Sequence, residues 1–308
     1  MNYFDLHCDT IAECRNQKKD LWENDLHLSL QRGGNYRPWL QCFAVWIPDE
    51  LRGEAAYAYF EDVYAELLRQ AAAHPGQMRL CVSPADFEAA KLGGKCGAVL
   101  TVEGSAALGG KLERVERFAQ CGVRAVTLTW NDSCEVGDGA EVAHPRGLTA
   151  FGKQVVRSLG EQRIAVDVSH ASEPLFWDAL ACARGPVLAT HSNARSLCNH
   201  PRNLTDEQFC ALRDQGGVVG VTFVEKFLRE SGPAGLDDIL RHIEHFLSLN
   251  GERTVAIGSD FDGAELPGDM VGVESVETLA ERMLRHGYAE SLVHDILFGN
   301  AFRFFTSL

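Results

Sequence analysis

A chain of 308 residues with 45% hydrophobic and 23% charged residues has the composition of a globular protein with a substantial core. Its formal net charge of -14 argues against nucleic-acid and anionic-membrane partners, because phosphate groups would repel it. No apolar run reaches the roughly 20 residues that span a bilayer, and the N-terminus lacks the features of a signal peptide. We therefore expect a cytoplasmic protein whose ten scattered cysteines are reduced thiols.

Short apolar or β-branched runs recur along the chain, and a helix-like segment follows most of them. The predicted strands are 3–7, 41–47, 96–102, 124–129, 164–168, 186–190, 217–224 and 254–258. The predicted helices are 54–73, 114–121, 151–159, 173–183, 236–249, 276–285 and 289–298. A further helix follows Thr205, which forms a capping box with Gln208.

Strands that alternate evenly with helices, without a linker, predict a single (β/α)8 barrel that occupies residues 1–308 as one domain. The alternative is a doubly wound open sheet, which usually carries a glycine-rich phosphate loop after its first strand. No such loop follows Asp9, and the glycine cluster at 93–97 precedes a strand instead of opening a helix. The barrel is therefore the favoured architecture.

Polar side chains with metal-binding chemistry stand at the ends of five predicted strands, where a barrel places its active site. His7 and Asp9 are two residues apart, so they share one face of an extended strand. An isolated His-x-Asp is most often an inert strand end, but four further strand ends carry Glu103, His170, His191 and Asp260. Imidazole nitrogens and carboxylate oxygens suit a borderline ion such as zinc, so this coincidence predicts a metal site.

These ligands exceed the three or four that one zinc ion takes, so we expect two zinc ions bridged by one carboxylate. Glu103 is the natural bridge. His7 and Asp9 would complete the coordination of one ion, and His170 with His191 that of the other. A water shared between the ions would have its pKa lowered toward ~7 and would supply hydroxide at neutral pH.

Asp260 is then free to take a proton from that hydroxide and pass it to a leaving amine. Asp262 points the other way in an extended segment, and we expect it to be structural. His242 and His245 lie on a predicted amphipathic helix without the Glu of a zinc-binding His-Glu-x-x-His motif, and we interpret them as part of a solvated face. Three serines that follow strands are expected to orient the ligands, namely Ser169, Ser192 and Ser259.

Together the motifs resemble the membrane (renal) dipeptidase family of zinc hydrolases, in its compact prokaryotic form. They occur in the family's order and span the chain: His7-x-Asp9, Val102-Glu103-Gly104, Asp167-Val168-Ser169-His170, Thr190-His191-Ser192, Arg202-Asn203 and Gly258-Ser259-Asp260-Phe261-Asp262-Gly263. The resemblance implies an amidohydrolase-like barrel with two zinc ions that hydrolyses L-Xaa-L-Xaa and L-Xaa-D-Xaa dipeptides. It also implies the ligands given above, the acid/base role of Asp260, and an Arg202 that binds the free carboxylate of the dipeptide.

The chain departs from the family pattern after its fourth strand. Mammalian members have a His after Thr-Leu-Thr that polarises the scissile carbonyl, whereas this chain has Trp130. Trp130 offers one N–H donor and no proton to relay, and the neighbouring Asn131 can donate a hydrogen bond instead. We expect both residues to contact the substrate. A homodimer is expected by analogy with the family.

Two other functions stay open on the sequence. A related metal hydrolase would keep the barrel but act on a lactone, a cyclic amide or a β-lactam. That enzyme would not need Arg202 to bind a free carboxylate. A non-catalytic metal-binding protein would not need Asp260, because that carboxylate is not required to hold both ions.

Overall fold

The computed structural model describes residues 1–308, which form nine strands and twelve α-helices. The strands are β1 (Tyr3–Asp5), β2 (Trp39–Trp46), β3 (Met78–Leu80), β4 (Cys96–Glu103), β5 (Val123–Thr127), β6 (Ala165–Asp167), β7 (Val187–Leu188), β8 (Val219–Val221) and β9 (Val255–Ile257). The helices are α1 (Thr10–Gln17), α2 (Gly53–Ala73), α3 (Pro84–Gly93), α4 (Arg114–Gln120), α5 (Ala150–Glu161), α6 (Glu173–Cys182), α7 (Asp206–Asp214), α8 (Glu225–Leu228), α9 (Leu236–Ser248), α10 (Ser275–Arg285), α11 (Glu290–His294) and α12 (Asn300–Thr306).

Eight of the strands form a nearly closed parallel barrel. They pair in the order β7-β6-β5-β4-β2-β1-β9-β8, and a parallel bridge between Ala189 and Val219 joins the two ends of this order. The backbone N–H of Gly220 donates to the carbonyl of Ala189 across the same junction, at 2.8 Å. The predicted (β/α)8 barrel is therefore confirmed, and the open doubly wound sheet is excluded.

All eight predicted barrel strands occur, and so does the predicted capping box of α7. The side chain of Thr205 accepts from the backbone N–H of Gln208, whose own side chain accepts from the backbone N–H of Thr205. Five elements were not predicted, namely β3, which lies outside the ring beside the first residues of β4, and the helices α1, α3, α8 and α12. The predicted helix 289–298 is interrupted, because α11 is followed by a π-helical turn at Asp295–Gly299 that leads into α12.

Aromatic side chains from the C-terminal segment close the N-terminal end of the barrel. Phe4 of β1 packs against Phe298 and Phe305, with ring centroids 6.4 and 5.4 Å away. The same apolar cluster includes inward-facing residues of every barrel strand except β8, such as Val99 and Ala256. This end is a packed core, so the polar strand ends meet at the opposite end of the barrel.

The placement of His242 on a solvated face is wrong. Its side chain is fully buried on α9. Its Nδ1 accepts a hydrogen bond from the backbone N–H of Ala194 at 3.0 Å, and its Nε2 donates to the carbonyl of Leu228 at 2.9 Å. Burial lowers the pKa of His242 to about 4. His245 remains partly exposed and lies 2.7 Å from a carboxylate oxygen of Asp206.

His242 should make the protein less stable in mild acid. An unfolded imidazole binds a proton near pH 6.5, whereas the folded one binds it only near pH 4, so protonation between these values favours the unfolded chain. Between pH 7 and pH 5 this one group should remove about 2 kcal/mol from the free energy of unfolding. Denaturant titrations at both pH values should show a smaller acid loss for His242→Gln than for the wild type. Equal losses in the two proteins would contradict this assignment.

Candidate metal centre

The loops that follow five barrel strands bring six potential ligands to one buried spot. These strands are β1, β4, β6, β7 and β9, and each side chain lies at the C-terminal end of its strand or a few residues beyond it. None of the six is more than 9% exposed. They are the residues predicted from the sequence, His7, Asp9, Glu103, His170, His191 and Asp260.

Glu103 lies at the centre of the cluster, between two sets of imidazoles. Its Oε2 is 3.4 Å from Nε2 of His7, and Oδ2 of Asp9 is 3.5 Å from that same nitrogen. Its Oε1 is 2.8 Å from Nε2 of His170 and 3.5 Å from Nε2 of His191. Each carboxylate oxygen therefore faces a different pair of ligands, which is the arrangement that a bridging carboxylate requires.

The donor atoms of the cluster fit a metal ion. Two overlapping groups, His7 with Glu103 and His191, and His7 with Asp9 and Asp260, have their donor atoms within 4.8 Å of one another. Nε2 of His7 and Oδ1 of Asp9 are buried without a hydrogen-bond partner. Such atoms are costly to bury, and coordination of a cation would satisfy them. Imidazole and carboxylate donors are those that zinc takes.

Hydrogen bonds fix which nitrogen of each imidazole faces Glu103. Oγ1 of Thr190 donates to Oδ2 of Asp167 at 2.6 Å, so this hydroxyl must accept from Nδ1–H of His191, 2.8 Å away. Nδ1 of His170 lies 2.8 Å from Oδ1 of Asn131. An amide oxygen can only accept, so this Nδ1 carries the proton and donates it. Both rings therefore present the Nε2 lone pair to the cluster. Thr190 was not singled out from the sequence, because its role depends on a contact between neighbouring strands.

The electrostatics keep these two imidazoles neutral, as metal ligands must be. Burial, with the nearby positive charge of Arg202, lowers the pKa of His170 to about 3. Burial and the neighbouring His7 hold the pKa of His191 well below its usual value. Burial beside Glu103 raises the pKa of Asp9 to about 8. Carboxylates as close together as Asp9 and Glu103 both ionise only when a positive charge lies near them.

The backbone is shaped for close approach of these side chains. His170 and Asp260 have φ values of 64° and 65°, the left-handed region that non-glycine residues adopt at a cost. At Gly263 a Cβ atom would overlap Oδ2 of Asp9 and Oδ1 of Asp260. Only glycine therefore allows this close approach, and the motif that contains Gly263 did not predict it.

A buried arginine lies beside the cluster. Arg202 is 3% exposed, and its Nη2 donates to the carbonyl of His191 at 3.4 Å. Its Nε has no hydrogen-bond partner, and burial lowers its pKa to about 10. A guanidinium that is buried and incompletely paired favours an anionic ligand such as a carboxylate.

Comparison with known proteins identifies the family. The sequence model of the membrane dipeptidase family (peptidase family M19) matches residues 1–308 of this chain. This chain belongs to the membrane dipeptidase family. As a member, it is a metal-dependent peptide-bond hydrolase.

Individual proteins and a solved structure are also similar to this chain. An uncharacterized protein in the pqqA 5′ region of Klebsiella pneumoniae is 38% identical over 248 residues, which are 77% of this chain and 92% of that protein. Dipeptidase 3 of Rattus norvegicus is 28% identical over 272 residues, which are 86% of this chain and 55% of that protein. The crystal structure of a Rhodobacter sphaeroides metallopeptidase bound to a phosphinate mimic of L-Ala-D-Ala matches with a TM-score of 0.93 and 27% identity, over 99% of this chain and 98% of that one.

Trp130, which departs from the family pattern, and its neighbour Asn131 both line a cavity of about 480 Å³ above the cluster. The ring of Trp130 packs edge-on against that of Trp46, with centroids 5.0 Å apart, and forms part of the cavity wall. Asn131 also lines the cavity, but its Oδ1 is engaged by His170. Contact of Trp130 and Asn131 with the substrate stays a prediction.

Asp262 makes structural contacts as expected, but its segment is not extended, because its φ is 69°, and it lines the cavity above the cluster. Its Oδ1 accepts from the backbone N–H of His27 at 2.6 Å, and its Oδ2 accepts from the hydroxyl of Thr10 at 2.5 Å. These bonds connect the loop after β9 to the segments that follow β1.

Among the helices of this dipeptidase-family chain, none is long and apolar enough to cross a membrane.

Two of the three serines predicted to orient ligands do so. The hydroxyl of Ser259 donates to the buried Asp5 at 2.6 Å and lies 3.1 Å from the carbonyl of His7. The hydroxyl of Ser169 accepts from the backbone N–H of His191 at 3.1 Å. The prediction for Ser192 is wrong, because its buried hydroxyl has no hydrogen-bond partner.

Proposed function

We propose that this chain is a binuclear zinc dipeptidase in which residues 1–308 act as one metallohydrolase domain. The observation that carries the proposal is Glu103, whose two oxygens face different imidazoles beside a buried arginine. The proposed substrates are L-Xaa-L-Xaa and L-Xaa-D-Xaa dipeptides. The Rhodobacter sphaeroides metallopeptidase holds a mimic of L-Ala-D-Ala, which supports the second group.

In this proposal Glu103 holds both ions, His7 and Asp9 complete one position, and His170 with His191 complete the other. When bound, the ions polarise the scissile carbonyl and activate water for attack. The neutral state of His170 and His191 and the fixed position of their Nε2 atoms prepare the ligands before the ions bind.

Asp260 is the proposed acid and base. It lines the cavity above the cluster, and its Oδ1 lies 3.8 Å from Nε2 of His7. Burial raises the pKa of Asp260, which favours a carboxyl group that both accepts and returns a proton. It would take a proton from the attacking water and deliver it to the leaving amine.

Arg202 is the proposed clamp for the free carboxylate of the dipeptide, and Arg202→Met tests it. Because the variant leaves that carboxylate buried without a partner, KM for a dipeptide should rise about 100-fold, with a smaller change in kcat. The dipeptide C-terminal amide is the matched control. It lacks the carboxylate, so wild type and variant should handle it alike. An unchanged KM for the dipeptide would contradict the clamp.

Metal analysis combined with a substrate screen tests the proposed function as a whole. We expect two equivalents of zinc per chain and turnover of L,L and L,D dipeptides. Hydrolysis of a lactone, a cyclic amide or a β-lactam without turnover of any dipeptide would support the related-hydrolase alternative. A metal-loaded protein that hydrolyses none of these would be a binding protein instead.

The cytoplasmic location and the homodimer remain predictions. All ten cysteines are free thiols, which supports a reducing compartment. Sedimentation equilibrium of the purified chain measures the oligomeric state.

A further inference from the structure

A second cavity, of about 710 Å³, adjoins the one above the metal cluster. We call the first the site cavity and the second the outer cavity. Both are lined by Val224, Lys226, Gly263 and Ala264, so the two cavities lie side by side. The outer cavity is also lined by residues 198–200, the segment that leads to Arg202. It therefore lies on the side of the site where the proposed carboxylate clamp stands.

Lys226 is the one charged residue that lines both cavities. Its Nζ lies 5.1 Å from the ring centre of Phe227, and the guanidinium carbon of Arg202 lies 5.4 Å from the same ring centre. The two positive charges thus flank one aromatic side chain. The long and flexible stem of the lysine would let one small ligand contact both charges.

Of the two cations that line the outer cavity, Lys226 has no carboxylate partner, whereas Arg229 has one. The guanidinium of Arg229 donates to the carbonyl of Pro233 at 3.1 Å and lies 3.6 Å from Oδ2 of Asp238. Three acidic residues line the cavity; one is Glu265, and the other two hold loop backbone. Glu225 accepts from the backbone N–H of Ala234 at 3.0 Å, and Glu230 accepts from that of Asn199 at 3.3 Å.

We propose that Lys226 is a specificity-determining residue that selects dipeptides whose C-terminal residue is Asp or Glu. The inference rests on the proposed dipeptidase function. The α-carboxylate would bind Arg202, the side chain would enter the outer cavity, and its carboxylate would pair with Lys226. In Asp and Glu the two carboxylates are separated by only two or three carbon atoms, which suits two cations that flank one ring. Lys226 is exposed, so salt screens an ion pair with it, and the discrimination should be largest at low ionic strength.

Matched pairs of dipeptides test this role. For the wild type we expect kcat/KM to be about 10-fold higher for L-Ala-Asp than for L-Ala-Asn, and likewise for Glu over Gln, with L and D C-terminal residues both assayed. Lys226→Gln should bring the ratio close to one, and Lys226→Glu should reverse it and favour a C-terminal Lys. Arg229→Gln is the control, because its guanidinium is already paired, and it should keep the wild-type ratio.

Two outcomes overturn the inference, and they are distinguishable from failure of the proposed function. A wild-type ratio near one, or a ratio that Lys226→Glu leaves unchanged, rejects the role of Lys226 while L-Ala-L-Ala is still hydrolysed. Absence of turnover with every dipeptide, in a metal-loaded and folded protein, rejects the proposed function and this inference with it.

Discussion

Asp260→Asn should lower kcat for dipeptides by about 1,000-fold while the protein keeps its full metal content. The amide of Asn neither accepts nor returns a proton at neutral pH, and proton transfer by a positioned side chain contributes about 10²–10⁴-fold. Metal content should stay the same because His7, Asp9, Glu103, His170 and His191 supply the proposed ligands without Asp260. Single-turnover kinetics and metal analysis of the same preparation measure the two quantities together.

The metal measurement is essential because the geometry allows a second role for this carboxylate. Donor atoms of Asp260, Asp9 and His7 all lie within 4.8 Å of one another, so Asp260 is also close enough to ligate an ion. Loss of one equivalent in Asp260→Asn would make it a ligand, and unchanged turnover would remove it from the mechanism.

Asp262→Asn is the matched control, since Asp262 is two residues away and its oxygens accept from His27 and Thr10. This substitution should lower the free energy of unfolding by about 1–3 kcal/mol, the range expected when a buried hydrogen-bonded carboxylate is altered. Its effect on kcat should be far smaller than that of Asp260→Asn.

The sequence was sufficient to place the six candidate ligands because the topology of a barrel fixes where strands end. His7, Glu103 and His191 are far apart along the chain, yet each lies at or near the C-terminal end of a strand, and such ends meet at one mouth. No side-chain detail was needed for that step. The identity of the fold and the convergence of the six side chains could therefore both be predicted.

Contacts that depend on side-chain conformation could not be predicted in this way. The bond between Thr190 and Asp167 joins the ends of two neighbouring strands, and its effect on His191 depends on which atom donates. The three-residue strand β3 is too short to give a periodic signal. The position of Lys226 depends on the four-residue helix α8, which has no side-chain cap.

Some errors came from signals that were present in the sequence. On α9 the residues Ile239, His242, Ile243 and Phe246 are spaced three and four apart and are all buried. This stripe of buried residues places His242 on the apolar face of α9. The absence of a zinc-binding motif was not evidence that this face is exposed to solvent. The helix α3 likewise begins with a capping box formed by Ser83 and Asp86, a pattern visible in the sequence.

Substitution of Glu103, the proposed bridging residue, should lower the zinc content more than substitution of His7, a proposed ligand of one ion. His7→Ala deletes one ligand of one position, so we expect about one equivalent of zinc to remain, held by Glu103, His170 and His191. Glu103→Ala deletes a ligand from both positions and also the carboxylate that compensates the imidazoles, so we expect less than one equivalent after dialysis. Either change should lower kcat by about 1,000-fold or more, because the two ions act together on one substrate.

The experiment separates a bridged pair of ions from two independent sites or a single one. Metal content after dialysis gives the stoichiometry, and circular dichroism confirms that each variant keeps the barrel. His286→Ala is the control, since His286 is an exposed residue whose Nδ1 lies 3.8 Å from Glu244, and it should retain two equivalents. If Glu103→Ala and His7→Ala each lose one ion, Glu103 belongs to a single position and does not bridge. If the wild type itself holds one equivalent, the two-ion proposal is wrong, and the loss of metal in each variant then identifies the side chains that hold the single ion.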